Sequence, residues 1–238
     1  MSHPVTAKPE TLLIACGALG QEIVTLIDIL NLENITVQCL PANFHNTPDK
    51  IPGGVEQKIE EAGERFDRIL VLYGECGTGG KLDEILKREG IERIPGAHCY
   101  EFFMGQADFK ELFDAEPGSF FLTDYLVKHF DLLIIQGLGL DRFPQLLGDY
   151  FGNYSQLVYL AQTDDPDLDA AAQAAAEKLK LNFERRFTGY GGLKDILEEE
   201  NNGSTDHRIL AGYPGPGHRQ ARANQRQAPA VRSLSKGH

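Results

Sequence analysis

The stretch FDRILVLYGECGTGGKLDEILKREG, residues 66–90, holds the plan that predicts the fold. Its run of Ile, Leu and Val has no polar alternation, which is typical of a strand buried on both faces in a parallel sheet. A glycine-rich turn follows, GECGTGG, and then Leu82, Ile85 and Leu86 recur at the spacing of one helix face. The stretch therefore predicts a β-strand, a tight turn and an amphipathic α-helix.

The same plan recurs along the chain. It is found in TLLIACGALGQEIVTLIDIL (11–30), FDLLIIQGLGLDRFPQLLGDYFG (130–152) and QLVYLAQTDDPDLDAAAQAAAEKLKL (156–181). ITVQCLP and IERIP add two shorter strand candidates. Strands that alternate with helices in this way predict an α/β, Rossmann-like layered fold with a mostly parallel sheet flanked by helices. Ligands of such folds bind at the carboxyl ends of the strands, so the turns ACGALG, YGECGTGG, QGLGLDR and AQTDDP are of most interest.

Composition sets the domain organisation. The chain has 238 residues, 42% of them hydrophobic, which is enough for a single α/β domain over residues 10–200. Residues 1–9 are predicted to be a flexible N-terminus. Residues 201–238 carry six Lys/Arg and one acidic residue and are rich in Gly and Pro, so a disordered basic tail is predicted.

Charge and hydropathy exclude some classes of partner. The first 200 residues hold 17 Lys/Arg against 34 Asp/Glu, and a body this acidic repels nucleic acid. The chain has no run of 18 apolar residues, which argues against a membrane span. Its N-terminal stretch lacks the features of a secretory signal, so a cytoplasmic location is expected. A small-molecule ligand fits these limits.

Three of the four cysteines stand out by position. Cys16 and Cys76 each precede a glycine at a strand-to-helix turn, and Cys99 follows His98 in GAHCYEFF, with Glu101 nearby. If the sheet is parallel, the three thiols can meet at one edge. Three thiolates with His98, Glu101 or an open position as fourth ligand suit zinc or an iron–sulfur cluster. The other reading, small apolar side chains packed at tight turns, stays open, and Cys39 is predicted to be a core residue of a strand.

The same turns do not match a phosphate-binding loop, because GGKLDE has Leu82 where the Gly-Lys-Ser/Thr motif needs a hydroxyl. Two other interpretations of the turns stay open. A metal-free module could still hold a small anionic ligand on its glycine turns. The residues predicted to contact a ligand are Gly17, His45, Gly77, Thr78, Gly79, Gly80 and Glu101. Alternatively Cys76 is a lone nucleophile, and whether the protein is an enzyme stays open.

The segment GSFFLTDYLVKHFD, residues 118–131, is dense in aromatic and aliphatic side chains. Its apolar residues match helical spacing, which predicts a helix packed into the core. The polar residues Thr123, Asp124, Lys128 and His129 could then face a pocket.

Several motifs together resemble a known family. They are IACGAL, LPANFHNTPDKI, YGECGTGGKLD, RIPGAHCYEFFMG, PGSFFLTDYLVKHFD, GLGLDRFPQLLGDYFGNYSQLVYLAQTDDPDL and FERRFTGYGGL. Over residues 10–198 the chain resembles the prokaryotic family called domain of unknown function 1638, which implies a soluble α/β protein without an established activity. Cys16, Cys76 and Cys99 all fall in these motifs.

The resemblance also implies a metabolic setting. The family is associated with gene neighbourhoods for corrinoid proteins, methylamine- or betaine-type methyltransferases and corrinoid-reactivating iron–sulfur proteins. It therefore implies a metal- or cluster-binding accessory protein, possibly an enzyme, of corrinoid-dependent methyl transfer. The implied partner is a corrinoid protein or a methyltransferase, and any corrinoid would come through that partner. Thiolate-bound zinc serves as Lewis acid or thiol activator in such chemistry.

Overall fold

The first sheet is built around strand β1, Thr11–Cys16, whose six residues are all buried. Strands β2 (Ile35–Leu40) and β3 (Arg68–Leu72) pair with it in parallel, one on each side. A short fourth strand, β4 (Glu92–Arg93), pairs with β3 and completes the order β2-β1-β3-β4. Continuous apolar side chains suit β1 because helices cover both faces of a central parallel strand.

This computed structural model describes residues 9–201. The helices that connect and cover the first sheet are α1 (Gly20–Leu30), α2 (Ile51–Ala62), α3 (Lys81–Glu89) and α4 (Glu101–Met104). The next helix, α5 (Gln106–Ala115), packs Phe109 and Leu112 against the second sheet. The predicted stripes face the core, since Ile23, Leu26 and Leu82 are almost fully buried. The strand-turn-helix units predicted over residues 11–30 and 66–90 are confirmed.

The second sheet has three parallel strands in the order β5-β6-β7. They are β5 (Ser119–Thr123), β6 (Gln156–Ala161) and β7 (Asn182–Phe187). The helices that follow β5 along the chain are α6 (Asp124–Lys128), α7 (Leu147–Phe151), α8 (Pro166–Leu179) and α9 (Gly191–Asn201). Helix α9 buries Leu193, Ile196 and Leu197 in the core of the first sheet, which ties the end of the described chain to its beginning. The α/β fold is confirmed, with two parallel sheets.

The third predicted strand is wrong. Asp131–Gln136 forms a π-helical turn close behind α6, and the strand of this region is β5, which the sequence had assigned to a helix. An apolar run of this length suits a buried helix and a buried strand equally, so periodicity does not decide between them. Thr123 decides locally: its hydroxyl caps α6 by accepting from the Leu126 amide, so the helix begins after β5. The turn QGLGLDR is therefore not a strand end.

The predictions for the flexible N-terminus (1–9) and the disordered tail (201–238) fall outside the described residues, apart from residues 9 and 201 themselves. Within residues 9–201, none of the helices combines the length and the apolar character needed to span a bilayer. The single-domain and cytoplasmic assignments stay predictions.

Candidate functional site

The three predicted cysteines meet at the carboxyl edge of the first sheet. Cys16 is the last residue of β1, Cys76 lies in the turn after β3, and Cys99 lies in the loop before α4. The Sγ atoms of Cys76 and Cys99 are 3.1 Å apart. The thiol of Cys16 in turn interacts with that of Cys99. Elements separated by more than 80 positions of sequence therefore supply one group of sulfur atoms.

Two loops hold Cys76 and Cys99 together. The amide of Glu75 donates to the carbonyl of Gly96, and the amide of Cys76 donates to that of Ala97, both at 2.8 Å. Gly74 makes this approach possible, because a Cβ atom there would stand 2.8–2.9 Å from the backbone of His98. Real Cβ atoms do not come so close to backbone atoms, so only glycine fits.

The glycine turn after β3 is filled by its own glutamate. The Glu75 carboxylate accepts from the amides of Gly77 at 2.9 Å, Gly79 at 2.5 Å and Gly80 at 3.2 Å. It also accepts from the hydroxyl of Thr78 at 3.1 Å. These are the donors that an external anion would need. The turn is an anion cradle, as its composition indicated, but the anion belongs to the chain.

A second carboxylate orders the loop that carries Cys99. Glu101 is 3% exposed, and its Oε1 atom accepts from the amides of Ala97 at 2.8 Å and His98 at 2.9 Å. Burial raises the pKa of Glu101 to about 7, although these two hydrogen bonds and Arg93 act in the opposite direction. Glu101 thus holds backbone groups next to the thiols.

His98, predicted as an extra metal ligand, packs among aromatic rings. Its ring stacks on Tyr100 with a centroid distance of 4.9 Å and meets the edge of Phe109 at 6.5 Å. Burial lowers the pKa of His98 to about 4, so its imidazole is neutral at pH 7. His45 lies within electrostatic range of His98 and is exposed, in the turn after β2.

Tyr73 is a member of the site that the sequence did not single out. It directly follows β3, is 1% exposed, and its buried hydroxyl has no hydrogen-bond partner of ordinary geometry among residues 9–201. Burial raises its pKa, and so does the proximity of the thiols of Cys16, Cys99 and Cys76. A buried hydroxyl without a partner is costly, so its place beside the thiols points to a ligand or a thiolate as its acceptor. A tyrosine at the last apolar position before the glycine turn was the available signal.

The thiolate character is concentrated at Cys16. Hydrogen bonding with Cys99 lowers the pKa of Cys16 to about 7, against the opposing effect of burial. A hydrogen bond with the backbone of Ala18 acts in the same direction. The pKa of Cys99 is raised well above its ordinary value by its contacts with Cys16 and Cys76. The opposite directions of these two pKa shifts make Cys16 the sulfur that favours the thiolate form and Cys99 the one that keeps its proton.

Gly17, predicted to contact a ligand, and Cys39, predicted to lie in the core, have different surroundings from those of the thiol cluster. A Cβ atom on Gly17 would stand 2.6 Å from the carbonyl oxygen of Leu40, so this glycine lets the turn after β1 pass the end of β2. Cys39 lies in strand β2 as predicted but is exposed, and its assignment to the core is wrong. The physical reason is that β2 is an edge strand, which presents part of its surface to solvent.

The carboxyl edge of the second sheet carries a different polar group. Asp124 is 2% exposed at the start of α6. Its carboxylate accepts from the Tyr159 hydroxyl at 2.7 Å, the Gln162 amide at 2.9 Å and the Thr163 hydroxyl at 2.6 Å. Its own amide donates to the side chain of Gln162 at 2.8 Å. This network is closed, because both carboxylate oxygens have donors within the chain.

The described residues contain no group of three or more His, Cys, Asp or Glu side chains already arranged around a metal position. Two surface pockets of the described chain lie elsewhere. One is at the amino end of the first sheet, beside Arg68 and Glu92, and the other is beside α5 and β7. The cysteine group is thus a close cluster of thiols at the strand ends, the position at which parallel α/β sheets bind ligands.

Comparison with known families assigns the chain. A family described as "Protein of unknown function (DUF1638)" matches residues 39–197. The chain belongs to this family. The matched part of this DUF1638 protein includes Cys76, His98 and Cys99, and Cys16 lies before it. Searches of curated proteins and of solved structures find no match.

Proposed function

We propose that this DUF1638 protein binds a single soft metal ion, zinc in the first instance, through the thiolates of Cys16, Cys76 and Cys99. The observation that carries the proposal is the 3.1 Å contact between the sulfurs of Cys76 and Cys99, with Cys16 joined to it through Cys99. Sulfur is the protein ligand that soft metals prefer, and zinc commonly takes three or four such ligands.

The spacing favours one ion over a cluster. Zinc–sulfur bonds of about 2.3 Å at a tetrahedral angle put two thiolates about 3.8 Å apart. Cysteine ligands of an iron–sulfur cluster lie farther apart, roughly 6–7 Å. The separation of 3.1 Å is close to the first value, and a small rotation of either side chain covers the difference.

The orphaned hydroxyl of Tyr73 fits the same proposal. Charged thiolates bound to a metal still accept hydrogen bonds, and outer-shell donors of this kind orient ligands and tune the metal. Tyr73 is buried beside the three thiols and has no other acceptor of ordinary geometry within the described chain. A thiolate–metal group there gives this hydroxyl the acceptor that it lacks.

Three protein ligands leave one position of a tetrahedral ion open. Cys76 and Cys99 are only half-buried, so a molecule from solvent can reach that position. An open position on thiolate-bound zinc activates a bound thiol or water. The link to corrinoid-dependent methyl transfer, with a corrinoid protein or methyltransferase as partner, rests on the family resemblance alone and stays a proposal.

The filled glycine turn weakens the alternative of a metal-free module. In that alternative the turn after β3 holds a small anion, but its amides already donate to Glu75. An external anion would have to displace a carboxylate that is tethered to the same turn. The thiol cluster has no such internal occupant.

Metal titration of the reduced protein tests the proposal. The full chain is prepared under reductant, freed of metal with a chelator, and titrated with Cd²⁺ or Zn²⁺. We expect one ion per chain and, for Cd²⁺, thiolate charge-transfer absorption. Each of Cys16→Ser, Cys76→Ser and Cys99→Ser should weaken binding by at least about 100-fold, because a hydroxyl is a poor ligand for a soft ion.

The chain supplies its own control, Cys39→Ser, which removes an exposed thiol outside the cluster and should leave the affinity unchanged. Equal metal affinity of the wild type and of Cys76→Ser, with both proteins folded by circular dichroism, would reject the proposal.

A further inference from the structure

Cys76 and Cys99 form a pair that differs from the other thiols in geometry. Their sulfurs are 3.1 Å apart although 23 positions of sequence separate the residues. A disulfide bond has a sulfur–sulfur length of about 2.05 Å, so the two atoms are about 1 Å from bonding distance. Rotation about the side-chain bonds of the two residues provides a movement of this size.

The backbone on both sides of the pair is held in place. The two hydrogen bonds from residues 75 and 76 to residues 96 and 97 join the loops directly. Glu75 fixes the first loop and Glu101 fixes the second, each by accepting backbone amide protons. The sulfurs are therefore kept together in the reduced state, which raises the effective concentration of each thiol toward the other.

Access to solvent also sets the pair apart. Cys76 and Cys99 are half-buried, whereas Cys16 is 5% exposed. Of the three clustered thiols, Cys76 and Cys99 are therefore the more accessible to a small oxidant. Cys39 is exposed as well, but it lies on the edge strand β2 and not in the joined loops.

We propose that Cys76 and Cys99 are a redox-active dithiol that forms a reversible disulfide with small-molecule disulfides as oxidant. One cysteine thiolate attacks the small disulfide, forms a mixed disulfide and releases one small thiol. The second cysteine attacks the protein sulfur of that mixed disulfide and releases the other small thiol. Two S–H bonds of the protein and one S–S bond of the oxidant are replaced by one protein S–S bond and two small thiols, and two electrons pass to the oxidant.

The disulfide rests on geometry alone, and its consequence for metal binding rests on the proposed function. Sulfurs bonded to each other no longer serve as thiolate ligands, so oxidation removes two of the three proposed ligands. The dithiol then makes metal binding conditional on reducing conditions.

The test is redox equilibration of the full chain without metal. Cys39→Ser is the parent protein, so that the exposed thiol on β2 does not react. It is equilibrated in mixtures of reduced and oxidised glutathione, quenched with acid, alkylated under denaturing conditions and mapped by mass spectrometry. We expect a Cys76–Cys99 crosslink, loss of two alkylatable thiols and a free Cys16. Adding Cys76→Ser or Cys99→Ser to the parent should abolish the crosslink and leave a mixed disulfide with glutathione.

Two results would overturn the inference. In one, the pair stays reduced even at equilibrium with an excess of oxidised glutathione and no added reduced glutathione. In the other, the crosslink joins Cys16 to Cys99 instead.

Cadmium binding to the oxidised parent separates this inference from the proposed function. Affinity should fall by at least about 100-fold on oxidation and return with dithiothreitol, as expected when thiolate ligands are lost. A crosslink in a protein that binds no metal when reduced would support the dithiol and reject the metal site. Metal binding by a reduced protein that forms no crosslink would support the site and overturn the dithiol.

Discussion

The carboxyl edges of the two sheets occupy equivalent positions in the fold, yet their polar groups are in opposite states. At the second sheet, the Asp124 carboxylate receives three hydrogen bonds from residues of its own half. At the first sheet, the sulfurs of Cys76 and Cys99 are 3.1 Å apart and the Cys16 thiol interacts with Cys99. The hydroxyl of Tyr73 there has no partner of ordinary geometry within residues 9–201. The Asp124 carboxylate at the second edge has all its hydrogen bonds without a ligand, whereas the first edge leaves one buried hydroxyl without a partner among the described residues.

A ligand is expected at the edge whose buried polar groups lack partners, which is the edge of the first sheet. Buried polar groups that satisfy one another stabilise the fold, and a ligand would have to break them. Buried groups that lack partners cost free energy until something pairs with them. Both edges bury polar groups, so burial and polarity do not distinguish them. The difference is whether each buried polar group has a hydrogen-bond partner.

The largest effect on stability is expected at the second edge. Asp124→Ala leaves the donors of Tyr159, Gln162 and Thr163 without their acceptor, which should lower the free energy of unfolding by about 3–5 kcal/mol. Urea denaturation measures this change. Asp195→Ala is the matched control, because Asp195 is exposed on α9 and its loss should change stability by no more than about 0.5 kcal/mol.

Metal affinity sharpens the same test. If the second edge is structural only, Asp124→Ala should bind Cd²⁺ as the wild type does under conditions where both are folded. Equal stability of the Asp124 and Asp195 variants would contradict this view of the second edge, since the hydrogen bonds of Asp124 would then contribute nothing to the free energy of unfolding.

A smaller loss of stability is expected at the first edge from Gly74→Ala. The new Cβ atom would stand 2.8–2.9 Å from the backbone of His98 and push the two loops apart. We expect a loss of about 2–3 kcal/mol from overpacking. Because the loops carry Cys76 and Cys99, Cd²⁺ affinity should fall as well, by about tenfold or more.

The control for Gly74 is Gly53→Ala in α2, where a Cβ atom would meet nothing within 4 Å. Alanine is the better helix former, so this variant should gain about 0.5–1 kcal/mol and keep its metal affinity. A Gly74→Ala protein that binds Cd²⁺ as tightly as Gly53→Ala would mean that the contact between the loops does not position the thiols.

The smallest effect concerns pH. Burial raises the pKa of Glu101 from 4.5 to about 7, so the folded chain holds this proton more tightly than the unfolded chain does. The stability that comes from this group is present at low pH and is lost as pH rises through about 4.5 to 7. Relative to Glu101→Gln, the wild type should lose about 1–2 kcal/mol between pH 5 and pH 7.

Urea denaturation of both proteins across this range checks the prediction. The difference between the two curves is the useful quantity, because His98, whose pKa is lowered to about 4, changes stability in the opposite direction and is present in both proteins. Parallel curves would show that Glu101 does not titrate in this range. Glutamine keeps the acceptor oxygen that Ala97 and His98 use, so the loop should stay ordered.

Most of the fold could be predicted from the sequence, because the patterns that indicate strands, turns and helices are local. The units at residues 11–30, 66–90 and 156–181 each carry a strand, a turn and a helix face within about 25 residues. The failure at Asp131–Gln136 has a physical cause: an apolar run that is buried on all sides has no period to read. Strand β7 was missed because its centre is Glu184, Arg185 and Arg186, as an edge strand permits.

Only part of the candidate site could be predicted from the sequence. Cys16, Cys76 and Cys99 could be chosen because parallel strands bring their carboxyl ends to one edge. His98 could not be placed, since its packing on Tyr100 depends on how the loop before α4 turns. The role of Glu75 could not be predicted for a similar reason. Its carboxylate lies within six residues of several amide and hydroxyl donors, and only the folded turn determines which of them it accepts from.

The sequence by itself determined the α/β plan, the glycine turns and the choice of three cysteines, because each follows from spacing along a short stretch of chain. Only the tertiary structure decided that Cys76 and Cys99 touch and that Glu75 fills the glycine turn. It also decided that the buried hydroxyl of Tyr73 finds no hydrogen-bond partner among residues 9–201. The physical reason is that these contacts depend on two loops meeting across Gly74, with distances set by the packing of both. Residues more than 20 positions apart carry no local signal of such an approach.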